Sequence, residues 1–162
     1  MTTLVTLGEL AGLVGRRLGP SEPIEISQER IDAFAEVTID PQWIHVDAGR
    51  AAATPFGGTI AHGFLTLSML SHVMGELLQV EDAQMAINYG LNRVRFPSIL
   101  RSGSTVRGTV DVVSVTPDDG HTMMVCSVAF LADGRDVPCC VAESVTRFVW
   151  PTGSAAASRG NH

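Results

Sequence analysis

Two stretches of the chain carry side chains able to move protons. One is Asp40-Pro41-Gln42-Trp43-Ile44-His45-Val46-Asp47; the other is Ile60-Ala61-His62-Gly63-Phe64-Leu65-Thr66. A carboxylate and an imidazole five positions apart, in a segment stiffened by proline, can converge on one water and divide its protons. Histidine suits the task because its unperturbed pKa lies near neutrality. Asp40 in an apolar pocket would rise to become a base of useful strength. The spacing leaves open which of the two is the base. Gly63 falls at the start of a long apolar stretch, where a helix leaves its first N–H groups free. Without a side chain, it lets a substrate carbonyl approach closely. One oxyanion donor of this kind is typically worth about 3–4 kcal/mol.

Plainer readings stand beside these. On spacing alone, Asp40 is a turn residue and His45 a loop histidine. His62 reads first as a helix-start residue in a polar niche, and His72 as a core histidine. No HExxH or carboxylate-triad spacing joins His45, His62 and His72, so no metal is expected. Ser71 lacks the Gly-x-Ser-x-Gly setting of a nucleophile and reads as a hydrogen-bonding neighbour or a small packing residue.

The elements that must position these residues follow from periodicity. Leu7, Leu10, Ala11 and Val14 predict a short helix within 3–14. Ile24–Ile26 predicts a strand, and Ser27 caps a helix over 28–37 whose apolar stripe is Ile31, Phe34, Ala35 and Val37. Pro41 ends it. Residues 40–60 are mostly irregular, with a helical turn or two at 47–53. A central helix over 61–79 is apolar on nearly every side and therefore buried. Its small residues Ser68, Ser71 and Gly75 would let it lie close to a sheet.

From residue 84 the period becomes two. Strands are expected at 84–96, 104–116, 121–132 and 137–149, joined as antiparallel hairpins. Strand 121–132 is apolar on both faces, which predicts a central place covered on both sides. Arg93 and Arg95 share one face of the first of these strands; Asn92, on the other, is a candidate to reach the site. Burying the helix by wrapping the sheet around it gives an α+β architecture.

Composition bounds the rest. The 162 residues suit one domain over 1–150, with a small, polar tail at 151–162 expected to be disordered. Hydrophobic residues are 45% of the chain and charged ones 17%, which excludes intrinsic disorder. With a mean hydropathy of +0.22, the chain has more apolar surface than one small domain hides, so an oligomer is expected. A net charge of −6 with 11 Lys and Arg argues against a nucleic-acid partner or a membrane surface. The apolar run Ile60–Val80 is broken by His62, His72 and Glu76, so no membrane insertion is expected. Met1–Gly15 has Glu9 and no basic region ahead of an apolar run, unlike a secretory leader. The odd cysteine count, Cys126, Cys139 and Cys140, suits a reducing, cytoplasmic setting.

Phe34-Ala35, Asp40, His45 and Asp47, then Pro55-Phe56-Gly57-Gly58-Thr59-Ile60-Ala61-His62-Gly63-Phe64-Leu65-Thr66, resemble the MaoC-like, (R)-specific enoyl-CoA hydratases of hot-dog fold. The segment from Asn88 to Pro97 is similar to that family's first long strand, and the resemblance covers roughly residues 5–149. It implies Asp40 and His45 as a catalytic dyad, Gly63 as the N–H donor to the thioester oxygen, and Ser71 as a serine near the catalytic histidine. The implied reaction adds water to a trans-2-enoyl thioester, on coenzyme A or an acyl carrier, in a dimer, with no metal or redox cofactor. Gln42 and Trp43 stand where the family often has Asn and Pro; the bulk of Trp43 bears on acyl-chain length. Two rivals share the fold: a thioesterase, for which Glu76 is the only carboxylate on the long helix, and a non-catalytic acyl-thioester binding subunit.

Overall fold

A computed structural model describes residues 1–150; the tail expected at 151–162 lies outside the described residues. Leu78–Val80 (β4) pairs in parallel with Thr3–Val5 (β1). Between β1 and the next strand, Leu7–Leu13 forms a 3-10 helix, not the α-helix that the apolar spacing predicts. Leu7, Leu10 and Leu13 recur every third residue, the repeat of that tighter turn, and Leu10 and Leu13 are buried. Thr6 and Glu9 close a capping box at its start.

Arg17–Leu18 (β2) and Ile24–Ile26 (β3) both pair with the long strand Ser104–Asp118 (β6). The other strands are Met85–Arg95 (β5), His121–Ala132 (β7) and Cys140–Val149 (β8). The main sheet runs β2-β6-β7-β8-β5, antiparallel throughout. β6, β7 and β8 are successive hairpins as expected. β5 instead pairs with β8, so its connection to β6 crosses over, and β5 forms the sheet's edge.

β7 is central, but only one of its faces is sealed. Thr122, Met124, Cys126, Val128 and Phe130 are buried, while the alternating Met123, Val125, Ser127 and Ala129 are half-buried. The apolar outer face made it look covered on both sides.

Among the described residues, five short α-helices complete the fold: Gln28–Thr38 (α1), Trp43–Val46 (α2), Ala48–Ala52 (α3), Gly63–Ser68 (α4) and Leu70–Leu77 (α5). The expected single helix over 61–79 is therefore two. The Met69 N–H bonds to the Thr66 carbonyl, three residues back, and the Ser68 hydroxyl donates to the Leu65 carbonyl. Both tighten that turn and compete with the α ladder. Leu70, Val73 and Leu77 turn inward from α5 to meet Val106, Val110, Met124, Val128 and Phe130 from the sheet.

The close approach of helix to sheet comes from the strand, not from the small residues of the helix. A Cβ on Gly75 would meet open space, whereas one on Gly108 of β6 would lie 2.6 Å from Val73 Cγ1 and 2.8 Å from Cγ2. The three thiols are buried and free. Burial pushes Cys126 and Cys140 up to about 12 and Cys139 to about 11, which makes them packing groups at neutral pH.

Overpacking a tight core typically costs about 1–3 kcal/mol. Gly108→Ala should therefore lower Tm by roughly 3–10 °C in a scanning melt, given the usual scaling for a chain of this size. Adding Val73→Ala should restore part of the loss; an unchanged Tm in the single variant would refute the contact.

Candidate active site

Asp40 is set by the end of α1. Ile39 takes a left-handed conformation (φ 58°, ψ 39°), and the Asp40 N–H bonds back to the Ala35 carbonyl. A β-branched residue rarely adopts this conformation, so the turn carries local strain. It leaves the Asp40 side chain 57% exposed.

His45 lies on α2 and is buried, 7% exposed. Its Nδ1 is 2.7 Å from the Ile60 carbonyl oxygen. A carbonyl only accepts, so Nδ1 carries the hydrogen and Nε2 keeps its lone pair. Burial, the largest influence, lowers the pKa of His45 below its usual 6.5. The Ile60 bond and Asp40 act in the opposite direction, and His62 adds to the lowering.

One residue ties these segments together. Gln28, at the start of α1, donates its amide N–H to the His45 carbonyl at 2.7 Å and accepts from the Thr59 hydroxyl. Ile60 is held in turn by its N–H to the Ile44 carbonyl, and Ala61 by its N–H to the Leu100 carbonyl. α1, α2 and the strand-like approach to α4 thus form one braced unit. Gln28 has no signal in the sequence beyond its place after the Ser27 cap.

His62 belongs to the same cluster. Its ring stacks on His45 with centroids 3.7 Å apart. One carboxylate oxygen of Asp40, one ring nitrogen of His45 and one of His62 all lie within 4.8 Å of one another. A water reaching two hydrogen-bond partners at ordinary length spans about 5.6 Å, so Asp40 and His45 can share one.

Gly63 begins α4, where its N–H has no carbonyl one turn earlier to bond. The Phe96 ring packs over it: a Cβ would meet three ring carbons at 3.0 Å. Gly63 and His45 line one cavity of about 270 Å³, with Phe96, Leu100 and Cys139. Asp40 and His62 line a second of about 440 Å³, with Phe34, Phe64, Leu67 and Ser68. Leu67 and Ser68 also border a third of about 260 Å³, between α5 and the β5–β8 pair, which holds Ser71, Asn88, Leu91 and Ser144.

Asp40, His45 and Gly63 are thus brought together, and Ser71 and Asn92 are not. Ser71 lies in the third cavity, where its hydroxyl accepts from the Asn88 amide at 2.7 Å. Asn92 donates to Glu143 at 2.7 Å. The cause is register: β5 shifts against β8 between Asn88 and Gly90 and again between Leu91 and Arg93. Asn92 is the extra residue of the second irregularity and leaves the alternation, while the two insertions together restore the parity at Asn88, which faces the helix. Glu76 accepts from the Glu22 N–H at 2.7 Å and lies 3.8 Å from His72, away from the cluster.

Comparison with known proteins gives a consistent picture. The chain is 44% identical over 150 residues to the 3-hydroxyacyl-thioester dehydratase Z of Mycobacterium tuberculosis, spanning 92% of this chain and 99% of that protein. It is 46% identical over 123 residues to Nodulation protein N of Rhizobium leguminosarum bv. viciae, spanning 75% and 76%. In fold it resembles the (R)-hydratase from A. caviae involved in PHA biosynthesis, with a TM-score of 0.69 at 23% identity over 85% of this chain and 96% of that one. The family model described as MaoC like domain matches residues 9–129, and on that match and these relatives the chain belongs to the MaoC-like dehydratases, of hot-dog fold.

Proposed function

We propose that the protein is a hydro-lyase that adds water to trans-2-enoyl thioesters, and in reverse dehydrates (R)-3-hydroxyacyl thioesters. The observation that carries this reading is the approach of the Asp40 carboxylate and the His45 ring to within 4.8 Å, beside the N-terminal residue of α4. The relatives' names supply the substrate class: a 3-hydroxyacyl-thioester dehydratase at 44% identity and a 3-hydroxybutyryl-CoA dehydratase at 36%.

The chemistry divides as follows. The Gly63 N–H polarises the thioester oxygen and stabilises the enolate-like charge. Asp40 accepts a hydrogen bond from one hydrogen of the water, which stays on the new hydroxyl. His45 Nε2, the free lone pair, takes the other as the oxygen bonds to C3, and the imidazolium passes that proton to C2. Addition of water is redox-neutral, so no step calls for an oxidant, and coenzyme A or a carrier arm arrives with the substrate. The linked cavities past Leu67 and Ser68 suit the acyl chain, with Ser71 bordering its path. The thioesterase alternative is disfavoured by Glu76, whose carboxylate is occupied by the Glu22 N–H.

A homodimer completes the reading. β5 is an edge strand with Met85, Ile87, Tyr89 and Leu91 exposed, and such an edge is a template for a second strand. Phe96, just past β5, packs edge-on against Phe64, which lines the Asp40 cavity. The apolar edge therefore runs to the site, and a second copy docked there would cover it.

With crotonyl-CoA, the conjugated-enoyl absorbance should fall without release of thiol; thiol release would indicate hydrolysis, and no change a binding subunit. Asp40→Asn and His45→Ala should each lower kcat by about 10²–10⁴, the usual worth of a positioned proton-transfer group. Near-wild-type turnover in either would remove its assigned role. The acid limb of kcat/KM should lie below pH 6.5, because burial lowers the pKa of His45 and its neutral form is the active one. Stability has the same sign: the unfolded chain protonates this histidine first, so the folded state loses stability as pH falls from 6.5 through the lowered value. A limb above pH 6.5 would contradict the assignment. Sedimentation should give about twice the 17.2 kDa of one chain, and a fully active monomer would exclude a shared site.

A further inference from the structure

The water-activating pair has a third neighbour that the mechanism leaves unused. His62 is 3% exposed, and its ring is fixed on two sides. It stacks on His45 at 3.7 Å with 27° between the planes, and Phe34 of α1 packs against it at 5.1 Å with a 53° tilt. Nε2 is 3.0 Å from the Asp40 carbonyl oxygen, so it carries a hydrogen. The Asp40 carboxylate is 4.0 Å from the same nitrogen, beyond direct bonding. Nδ1 is buried with no partner among the described residues. A hydrogen on Nδ1 would be a donor stranded away from water. The tautomer is therefore the reverse of that of His45: hydrogen on Nε2, lone pair on Nδ1.

We propose that His62 is a positioning residue: its Nε2–H fixes the turn that presents Asp40, and its ring, stacked on His45, holds that ring in place and keeps water off its face. The inference rests on the reading of Asp40 and His45 as the water-activating pair. The stacked ring covers one face of His45 and keeps water from it, which favours the neutral imidazole that accepts a hydrogen from water. Asp40 and His45 are the titratable groups that face His62 among the described residues; Phe34 faces it from α1 and is apolar.

Two variants separate the two contributions. His62→Phe keeps a flat face and loses the donor to Asp40. His62→Asn keeps a donor and loses the face. His62→Phe should lower kcat by about 10–100-fold, the cost of a misplaced catalytic group, with little change in KM and the acid limb in place. His62→Asn should move the acid limb of kcat/KM towards pH 6.5, because water reaches the uncovered face of His45. Wild-type kcat and an unmoved limb in both variants would overturn the proposal.

A second measurement needs neither turnover nor a variant. In wild-type protein labelled with ¹⁵N-histidine, His62 Nδ1 and His45 Nε2 should both resonate as bare, pyridine-type nitrogens at neutral pH. A hydrogen on His62 Nδ1 would overturn the proposal. Failure of the underlying reaction shows separately, as wild-type protein that leaves crotonyl-CoA untouched, and overturns both readings.

Discussion

The bond between His45 Nδ1 and the Ile60 carbonyl decides what this site can do. By holding the hydrogen on one nitrogen, it commits the other to accept. By linking α2 to the segment that leads into α4, it keeps that lone pair near Gly63. The bond is in turn braced from both ends, through Gln28 on the His45 carbonyl and Thr59, and through Ile60 on Ile44. A lone histidine on a short loop would sample several rotamers; here packing and backbone bonds restrict the ring, and little ordering remains when substrate binds.

The larger fold serves that arrangement through a matching constraint on distance. Helix α5 lies near enough to the sheet for Val73 to occupy the space where a side chain on Gly108 would be. The helix pair is thereby seated on the buried face of the sheet, and the N-terminal end of α4 is held beside Phe96 and the loop up to Leu100. The apolar burial that holds the core and the placement of the Asp40, His45 and Gly63 cluster are therefore set by one contact surface.

Much of this was legible in the residues. Period-two alternation from residue 84 marked four strands to within a few positions, and β6, β7 and β8 each have one buried face. The Ser27 cap and Pro41 bracketed α1. Asp40, His45 and Gly63 stood out by type and spacing. What escaped had physical causes. The parallel β1–β4 pair is too short to show a period, and its partners lie far apart in sequence. The break at Met69 depends on hydroxyl-to-carbonyl bonds that hydropathy does not record. An irregularity in β5 makes Asn92 an unpaired extra residue and takes it out of the alternation, while a second one restores the parity and leaves Asn88 facing the helix. Gln28 acts entirely through backbone and hydroxyl partners distant in sequence.

The left-handed Ile39 has a consequence for how the protein tolerates change. A bulky branched side chain sits 87% exposed in a conformation it disfavours, one position before the acid. Its native contacts give no reason for a branched chain there, so the residue lowers stability without serving the core. A residue at ease in that conformation, such as glycine or asparagine, would relieve the strain, and the two backbone bonds that end α1 would still hold the turn. Thermal robustness is therefore open to improvement at a surface position next to Asp40, without touching the side chains of the Asp40, His45 and His62 cluster.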